Sequence, residues 1–228
     1  MQWIRNIFGL FYPKFCWGCG EVLQNQTTVL CEECLLQLDF IPTATDIDTQ
    51  MKARFYGKLT AKHCLATLYF TEESITQQLL HQLKYKNQPQ ISDFLAILTL
   101  QHLGKHPVFS WADCIVPVPL HPSKEKTRGY NQLDGFGTHL SKHLKIPYLK
   151  SYLMKQTKSN SQTRKNIVER AKNADEFIVN PKYKDLQQKN ILLIDDVMTT
   201  GSTLETAGNC ILKNSSNKIS ILTMAYTH

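Results

Sequence analysis

Asp195 and Asp196 stand side by side where the apolar run Ile191–Ile194 stops, and Val197 and Met198 lead from them into Thr199, Thr200, Gly201, Ser202 and Thr203. Two adjacent carboxylates repel anions and accept hydrogen bonds. A turn of hydroxyls and unpaired backbone N–H groups at the start of a helix does the opposite and attracts an anion. A ligand that satisfies both has donors at one end and a phosphate at the other, as a ribose 5-phosphate does, with its vicinal hydroxyls on the acids. The same residues could also form an aspartate helix cap before a Ser/Thr-rich turn, or a metal-binding acid pair of the Walker B kind. The chain has no GxxxxGK[ST] sequence, which speaks against an NTPase.

A second group with chemistry follows the run "PVPLHP". Lys124, Lys126 and Arg128 sit past the end of an apolar segment, where they could fold over a pyrophosphate leaving group and neutralise its charge. His121 beside them and Arg170, with Gln162 and Asn173, are further polar candidates, against which exposed surface is the plain alternative.

The third group is Cys16-x2-Cys19 and Cys31-x2-Cys34. Each Cys-x2-Cys turn aims two sulfurs at one point, and two such turns a short loop apart form a tetrahedral Zn²⁺ site. Gly18 and Gly20 suit the tight turn. No further polar ligand or general base stands nearby, so the metal is expected to be structural. Cys64, Cys114 and Cys210 lie in apolar surroundings and read as core residues.

Charge is uneven along the chain. Its net charge is +7, yet residues 111–190 alone hold 15 Lys/Arg against 7 Asp/Glu. Such an excess favours phosphate-bearing partners, either a small phosphorylated molecule or a nucleic-acid backbone. A single-stranded nucleic-acid surface would draw on Lys124, Lys126, Arg128, Lys155, Lys158, Arg164 and Lys165, with Tyr130 as an aromatic able to stack on a base. No apolar run reaches the roughly 20 residues that cross a bilayer, and no cleavable signal pattern precedes the first cysteine, so a cytoplasmic location is expected.

These groups need a scaffold. "CLATLYF", "CIVPVPL", "NILLIDDV" and "KISILTMAY" read as buried strands, and between them "TEESITQQLLHQLKY", opening at Thr71, "QISDFLAILTLQHL", "QLDGFGTHLSKHL" and "STLETAGNCILKN" read as helices. The alternation predicts an α/β fold, a parallel sheet with helices on both faces and ligands at the carboxyl ends of its strands. The expected organisation is a module over 1–40, in which Trp3, Ile4, Ile7, Phe8 and Phe11 share a helical face covering the cysteine site, a polar linker over 41–62, and the main domain over 63–228.

"LLIDDVMTTGSTL" resembles the phosphoribosyl pyrophosphate (PRPP) motif of type I phosphoribosyltransferases. Together with the four-cysteine module, "PVPLHPSKEKTRGYNQ" and "SQTRKNIVERAKNADEF", it resembles the ComF family of competence proteins across nearly the whole chain. The resemblance implies a type I phosphoribosyltransferase fold with an N-terminal zinc finger and a role in handling imported single-stranded DNA during natural transformation. It implies PRPP with Mg²⁺ as ligand, and single-stranded DNA and competence DNA-processing proteins such as a helicase as partners. By the same match, Asp195 and Asp196 are the ribose-binding and catalytic acids, Val197 to Thr203 complete the PRPP loop, and Lys124 and Arg128 stand on the pyrophosphate side. Lys124 and Lys155 stand where the family pattern has arginines, keeping charge but losing the bidentate fork. Working phosphoribosyl transfer to a base, nucleotide or amine, and PRPP sensing by a regulator, are the alternatives.

Overall fold

The computed structural model describes residues 14–23, 29–86, 88–120, 129–155, 177–213 and 215–227. Lys124, Lys126, Arg128, Lys158, Arg164 and Lys165, along with His121, Gln162, Arg170, Asn173 and the apolar segment 1–13, lie outside the described residues. In chain order the elements are helix α1 (Glu32–Leu36), helix α2 (Ala44–Arg54), strand β1 (Cys64–Tyr69), helices α3 (Ile75–Tyr85), α4 (Gln90–Leu103) and α5 (Val108–Trp111), strand β2 (Cys114–Pro117), helix α6 (Leu133–Leu144), strands β3 (Leu153–Lys155), β4 (Phe177–Val179) and β5 (Asn190–Met198), helix α7 (Ser202–Leu212) and strand β6 (Lys218–Tyr226).

The four strands expected from their apolar runs form one parallel sheet in the order β1-β6-β5-β2. Their composition explains this, because a strand covered on both faces must be apolar at nearly every position, and Ile191, Leu192, Leu193 and Ile194 are all fully buried. Thr67 Oγ1 lies 2.7 Å from Thr99 Oγ1, which sets α4 on one face. A Cβ on Gly208 would stand 2.9 Å from Ile219 Cδ1, which sets α7 on the other, since the register Ala66↔Thr223 puts Ile219 opposite in sense to Thr67. Asp195 pairs with Thr223 and so turns toward the α7 face, while Asp196, one residue on, turns toward the α4 face.

Three parts depart from expectation. Residues 41–62 are not a plain linker: they hold α2, whose Ile47 and Met51 are fully buried and whose successor Phe55 is 2% exposed. These three recur every four residues, one narrow helical stripe inside a polar run, and the helix is tied to β1 by the Cys64 N–H donating to Asp48 Oδ1 at 2.6 Å. Helix α3 opens at Ile75 rather than Thr71, because Ser74 caps it by accepting from the Gln77 N–H, and its own hydroxyl bonds the Thr71 carbonyl. Strands β3 and β4 form a separate antiparallel pair. The cysteine module reaches the sheet through residues 39–41, which run along the outer edge of β1, with the Ile41 N–H on the Thr67 carbonyl at 3.1 Å and the Tyr69 N–H on the Asp39 carbonyl at 2.8 Å.

Candidate functional site

Strand β5 carries the acid pair to the carboxyl end of the sheet, and the two side chains meet different surroundings. Asp196 is 8% exposed and its carboxylate is fully engaged. Oδ1 accepts from the Val197 N–H at 2.7 Å, and Oδ2 accepts from Gln132 Nε2 at 2.9 Å and faces Lys84 Nζ at 3.0 Å. Asp195 Oδ1 accepts from the Asp196 N–H at 2.8 Å, and its second oxygen has no hydrogen bond among the described residues. Burial pushes the Asp195 carboxyl well above the usual carboxylate range, the charge of Asp196 adds to this, and the Asp196 N–H, Lys84 and Lys155 pull against it. One acid is thus held through both oxygens, and the other keeps one oxygen without a hydrogen bond among the described residues.

The connection from β5 to α7 forms the other half of the site. Gly201 takes φ +82° at the N-cap of α7, a left-handed conformation, and a Cβ there would stand 2.9 Å from Phe55 Cε1 and 3.0 Å from Met198 Cε. Thr199, Thr200, Ser202 and Thr203 are exposed around it, and the Ser202 N–H at the start of α7 donates to Thr200 Oγ1 at 3.4 Å. Arg54, at the end of α2, fixes this turn from outside: Nη1 donates to the Thr199 carbonyl at 2.7 Å, Nη2 to the Thr227 carbonyl at 2.9 Å and Nε to the Tyr226 hydroxyl at 2.9 Å. The structure therefore brings Asp195, Asp196, Val197, Met198 and Thr199 to Thr203 together at one edge.

Sequence reading missed Lys84, Arg54 and the use of Gln132. Lys84 and Arg54 are single basic residues with no motif around them. Gln132 closes "RGYNQ", and its contact with Asp196 shows what that stretch does: Gly129 turns with φ +77°, Asn131 caps the entry of α6 through Oδ1 on the Leu133 N–H at 3.0 Å, and Gln132 braces the acid pair. Tyr130 is half-buried, with its hydroxyl donating to the Leu83 carbonyl, so it packs inward against α3 rather than standing as a platform for a base. Lys155 lies at the end of β3 with Nζ 5.4 Å from the centre of the Phe177 ring, close enough for its charge to act on Asp195.

The four cysteines converge as their spacing predicts. The sulfurs of Cys16, Cys19, Cys31 and Cys34 all lie within 4.8 Å of one another, and the Cys19–Cys31 separation is 3.7 Å. Backbone N–H groups point at these sulfurs, from Gly18 and Cys31 to Cys16 at 3.4 and 3.3 Å, and from Cys34 to Cys31 at 3.4 Å. A Cβ on Gly18 would sit 2.7 Å from Cys34 Sγ, so the cluster closes only around glycine. The cluster can hold a metal ion. Cys64 and Cys114 are buried as expected, and burial pushes their thiols up to about 12 and about 11, which leaves them inert, while Cys210 is half-buried with its thiol on the Phe177 carbonyl. Among the described residues no helix is long and apolar enough to cross a membrane.

Residues 135–228 match the phosphoribosyl transferase domain family. The chain is 25% identical over 205 residues to competence protein ComFC of Bacillus subtilis (strain 168), covering 88% of this chain and 78% of that one. It is 25% identical over 233 residues to competence protein F of Haemophilus influenzae, covering 94% and 98%. The DNA utilization protein YhgH of Escherichia coli O157:H7 is 25% identical over 159 residues, covering 65% of this chain and 66% of the relative. Among solved structures, the orotate phosphoribosyltransferase of Aeropyrum pernix superposes with a TM-score of 0.37 at 12% identity, over 79% of this chain and 93% of that one. The chain thus matches the phosphoribosyl transferase domain family over residues 135–228 and is similar over most of its length to the ComFC and F competence proteins.

Proposed function

We propose that the protein binds PRPP together with Mg²⁺ at the carboxyl end of β5, and that it serves the handling of single-stranded DNA during natural transformation. The observation that carries the ligand assignment is the pairing, on one short β5–α7 connection, of an acid with an open oxygen and a glycine-turned loop of hydroxyls and helix N–H groups. A sugar with vicinal hydroxyls and a 5-phosphate complements both ends. Asp195 takes the hydroxyls, Asp196 holds it in place, and the Thr199–Thr203 turn takes the phosphate. When bound with PRPP, Mg²⁺ would supply charge neutralisation for the pyrophosphate. If pyrophosphate leaves, positive charge develops at the sugar, and negative charge on the acid pair would stabilise it.

The metal of the cysteine cluster is assigned as Zn²⁺. Four sulfurs about 2.3 Å from one tetrahedral centre lie about 3.8 Å apart, and the Cys19–Cys31 separation of 3.7 Å fits. The DNA role is supported by the names of the relatives and by the basic excess of residues 111–190. The match to the phosphoribosyl transferase domain favours one further reading, transfer of the phosphoribosyl group to a base, nucleotide or amine.

Thermal-shift titration of the zinc-loaded chain with PRPP, ribose 5-phosphate and pyrophosphate, each with Mg²⁺, tests the ligand. PRPP is expected to stabilise most and pyrophosphate least, and equal effects of all three would refute the sugar-phosphate assignment. Single-stranded DNA binding is expected to weaken steeply as salt rises, since phosphate contacts release counterions. Absence of binding at low ionic strength removes the DNA role, and pyrophosphate release with a supplied acceptor establishes transfer.

A further inference from the structure

The last turn of α3 touches three regions with three consecutive residues. Gln82 Nε2 donates at 2.7 Å to the carbonyl of Trp17, inside the first cysteine turn. The Leu83 carbonyl accepts from the Tyr130 hydroxyl, and Lys84 Nζ lies 3.0 Å from Asp196 Oδ2. Ile75, at the start of the same helix, meets the cysteine turn as well, with its Cδ1 3.1 Å from where a Cβ on Gly18 would stand. Positions 75 and 82 are seven apart and share a helix face, whereas Lys84 lies about 200° around the axis from Gln82 at about 100° per residue. Helix α3 is therefore clamped between the cysteine module on one side and the acid pair on the other.

We propose that Lys84 is the positioning residue of the acid pair, and that the metal-bound cysteine module keeps it in position through α3. The PRPP reading supplies one of the two readouts below and is not needed for the other. Lys84 and Gln132 converge on the same oxygen of Asp196 from α3 and from the start of α6, so together they fix its rotamer. Of these two only Lys84 brings charge, and the neighbouring carboxylates repel each other unless a cation lies close. Among the described residues, the charged groups around the pair are Asp195 and Asp196 on β5, Lys84 on α3 and Lys155 on β3. A lysine side chain loses rotamer entropy when it is held, so the contact requires a helix end that does not move. The cysteine module provides this through Trp17 and Gly18, which a bound metal holds in one turn.

The test uses the full-length zinc-loaded chain. Lys84→Gln is expected to weaken PRPP binding about tenfold, within the roughly 5- to 150-fold range of typical coupling between sites, and to move the pH midpoint of binding upward, because loss of a cation disfavours the ionised pair. Lys84→Arg restores both in part. A lysine that only stabilised the fold would lower the melting temperature and leave the midpoint where it was, and that result overturns the positioning role. Gln82→Ala, with zinc still bound, is expected to weaken PRPP binding severalfold and to abolish the difference between zinc-loaded and zinc-depleted protein. Amide hydrogen exchange at the end of α3 and at Asp196–Val197 is expected to quicken in Gln82→Ala and on zinc removal. Identical exchange in all three forms overturns the coupling. If the zinc-loaded wild type binds no PRPP, the proposed function fails, and exchange still decides whether the module holds α3.

Discussion

The cysteine cluster and the acid pair each crowd groups that repel once ionised, and they draw their support from very different distances along the chain. In the cluster all four ligands, and among the described residues the N–H groups aimed at them, come from residues 16–34. Burial opposes ionisation of Cys16, but the N–H groups of Cys31, Cys19 and Gly18 outweigh it and bring that thiol down to about 6, while burial and the neighbouring sulfurs push Cys34 up. A cation at the centre removes that conflict. The acid pair is two residues of one strand, and its support is remote: Lys84 from α3, Gln132 from the start of α6, and Arg54 from α2 on the adjoining turn. A local site of this kind stands or falls with its metal, whereas the composite site depends on the packing of the whole domain.

Breaking the local site gives the largest effect. Cys34→Ser is expected to reduce bound zinc from one ion per chain to none and to unfold the module, since structural zinc contributes on the order of 10 kcal/mol or more to such modules. The main domain, with its own buried sheet, is expected to keep most of its folded circular dichroism signal. Zinc retained at full stoichiometry, by metal analysis, would count against the four-cysteine site.

The composite site should break by steps. Asp196→Ala removes the carboxylate that Lys84, Gln132 and Val197 hold, and PRPP binding is expected to weaken by about 1.5 to 3 kcal/mol, at least tenfold. Glu205→Ala, on α7 beyond the turn, is expected to change it little, and calorimetric titration of both variants separates the two. Gly201→Ala forces φ +82° on a residue with a Cβ and pushes that Cβ against Phe55, so about 1 to 2 kcal/mol of stability is expected to be lost along with phosphate affinity. Arg54→Ala, which frees the Thr199 carbonyl without touching the turn's own residues, is expected to cost less, roughly 1 kcal/mol. A denaturant series ranks them.

The smallest effect has the opposite sign. Asp195 titrates in the folded chain above its ordinary 3.8, so the native state binds this proton more tightly than the unfolded chain does. It therefore costs stability as pH rises from the unfolded value through the raised one, and costs nothing in strong acid where both states are protonated. Asp195→Asn is expected to raise the neutral-pH melting temperature by a few degrees, about 2–4 °C for each kcal/mol in a chain of this size, while losing ligand affinity. No gain is expected in strong acid. Melting curves at the two pH values check the sign, which is that of a strained group kept for binding.

What could be read from the sequence follows the same division. The cysteine site is written in two spacings, the acid pair and its turn in one unbroken stretch, and the four sheet strands in runs with hardly a polar position. Helix α2 escaped because Ile47, Met51 and Phe55 are a single stripe in a polar segment, and a two-strand pair of three residues each, as β3 and β4 are, carries no period at all. Lys84, Arg54 and Gln132 leave no local trace of their partners: Gln132 lies 64 positions from Asp196, and Arg54 lies 145 from Thr199. Such contacts exist only once the sheet order β1-β6-β5-β2 has brought the ends of α2, α3 and α6 to one edge.

The central claim, that the carboxyl end of β5 is a PRPP site, is tested most directly by calorimetric titration of zinc-loaded protein with PRPP and Mg²⁺, wild type beside Asp195→Asn. Saturable binding of one PRPP per chain, weakened at least tenfold in a variant that melts no lower than wild type at neutral pH, is the predicted result. No binding to the wild type, or equal binding to both proteins, would contradict it.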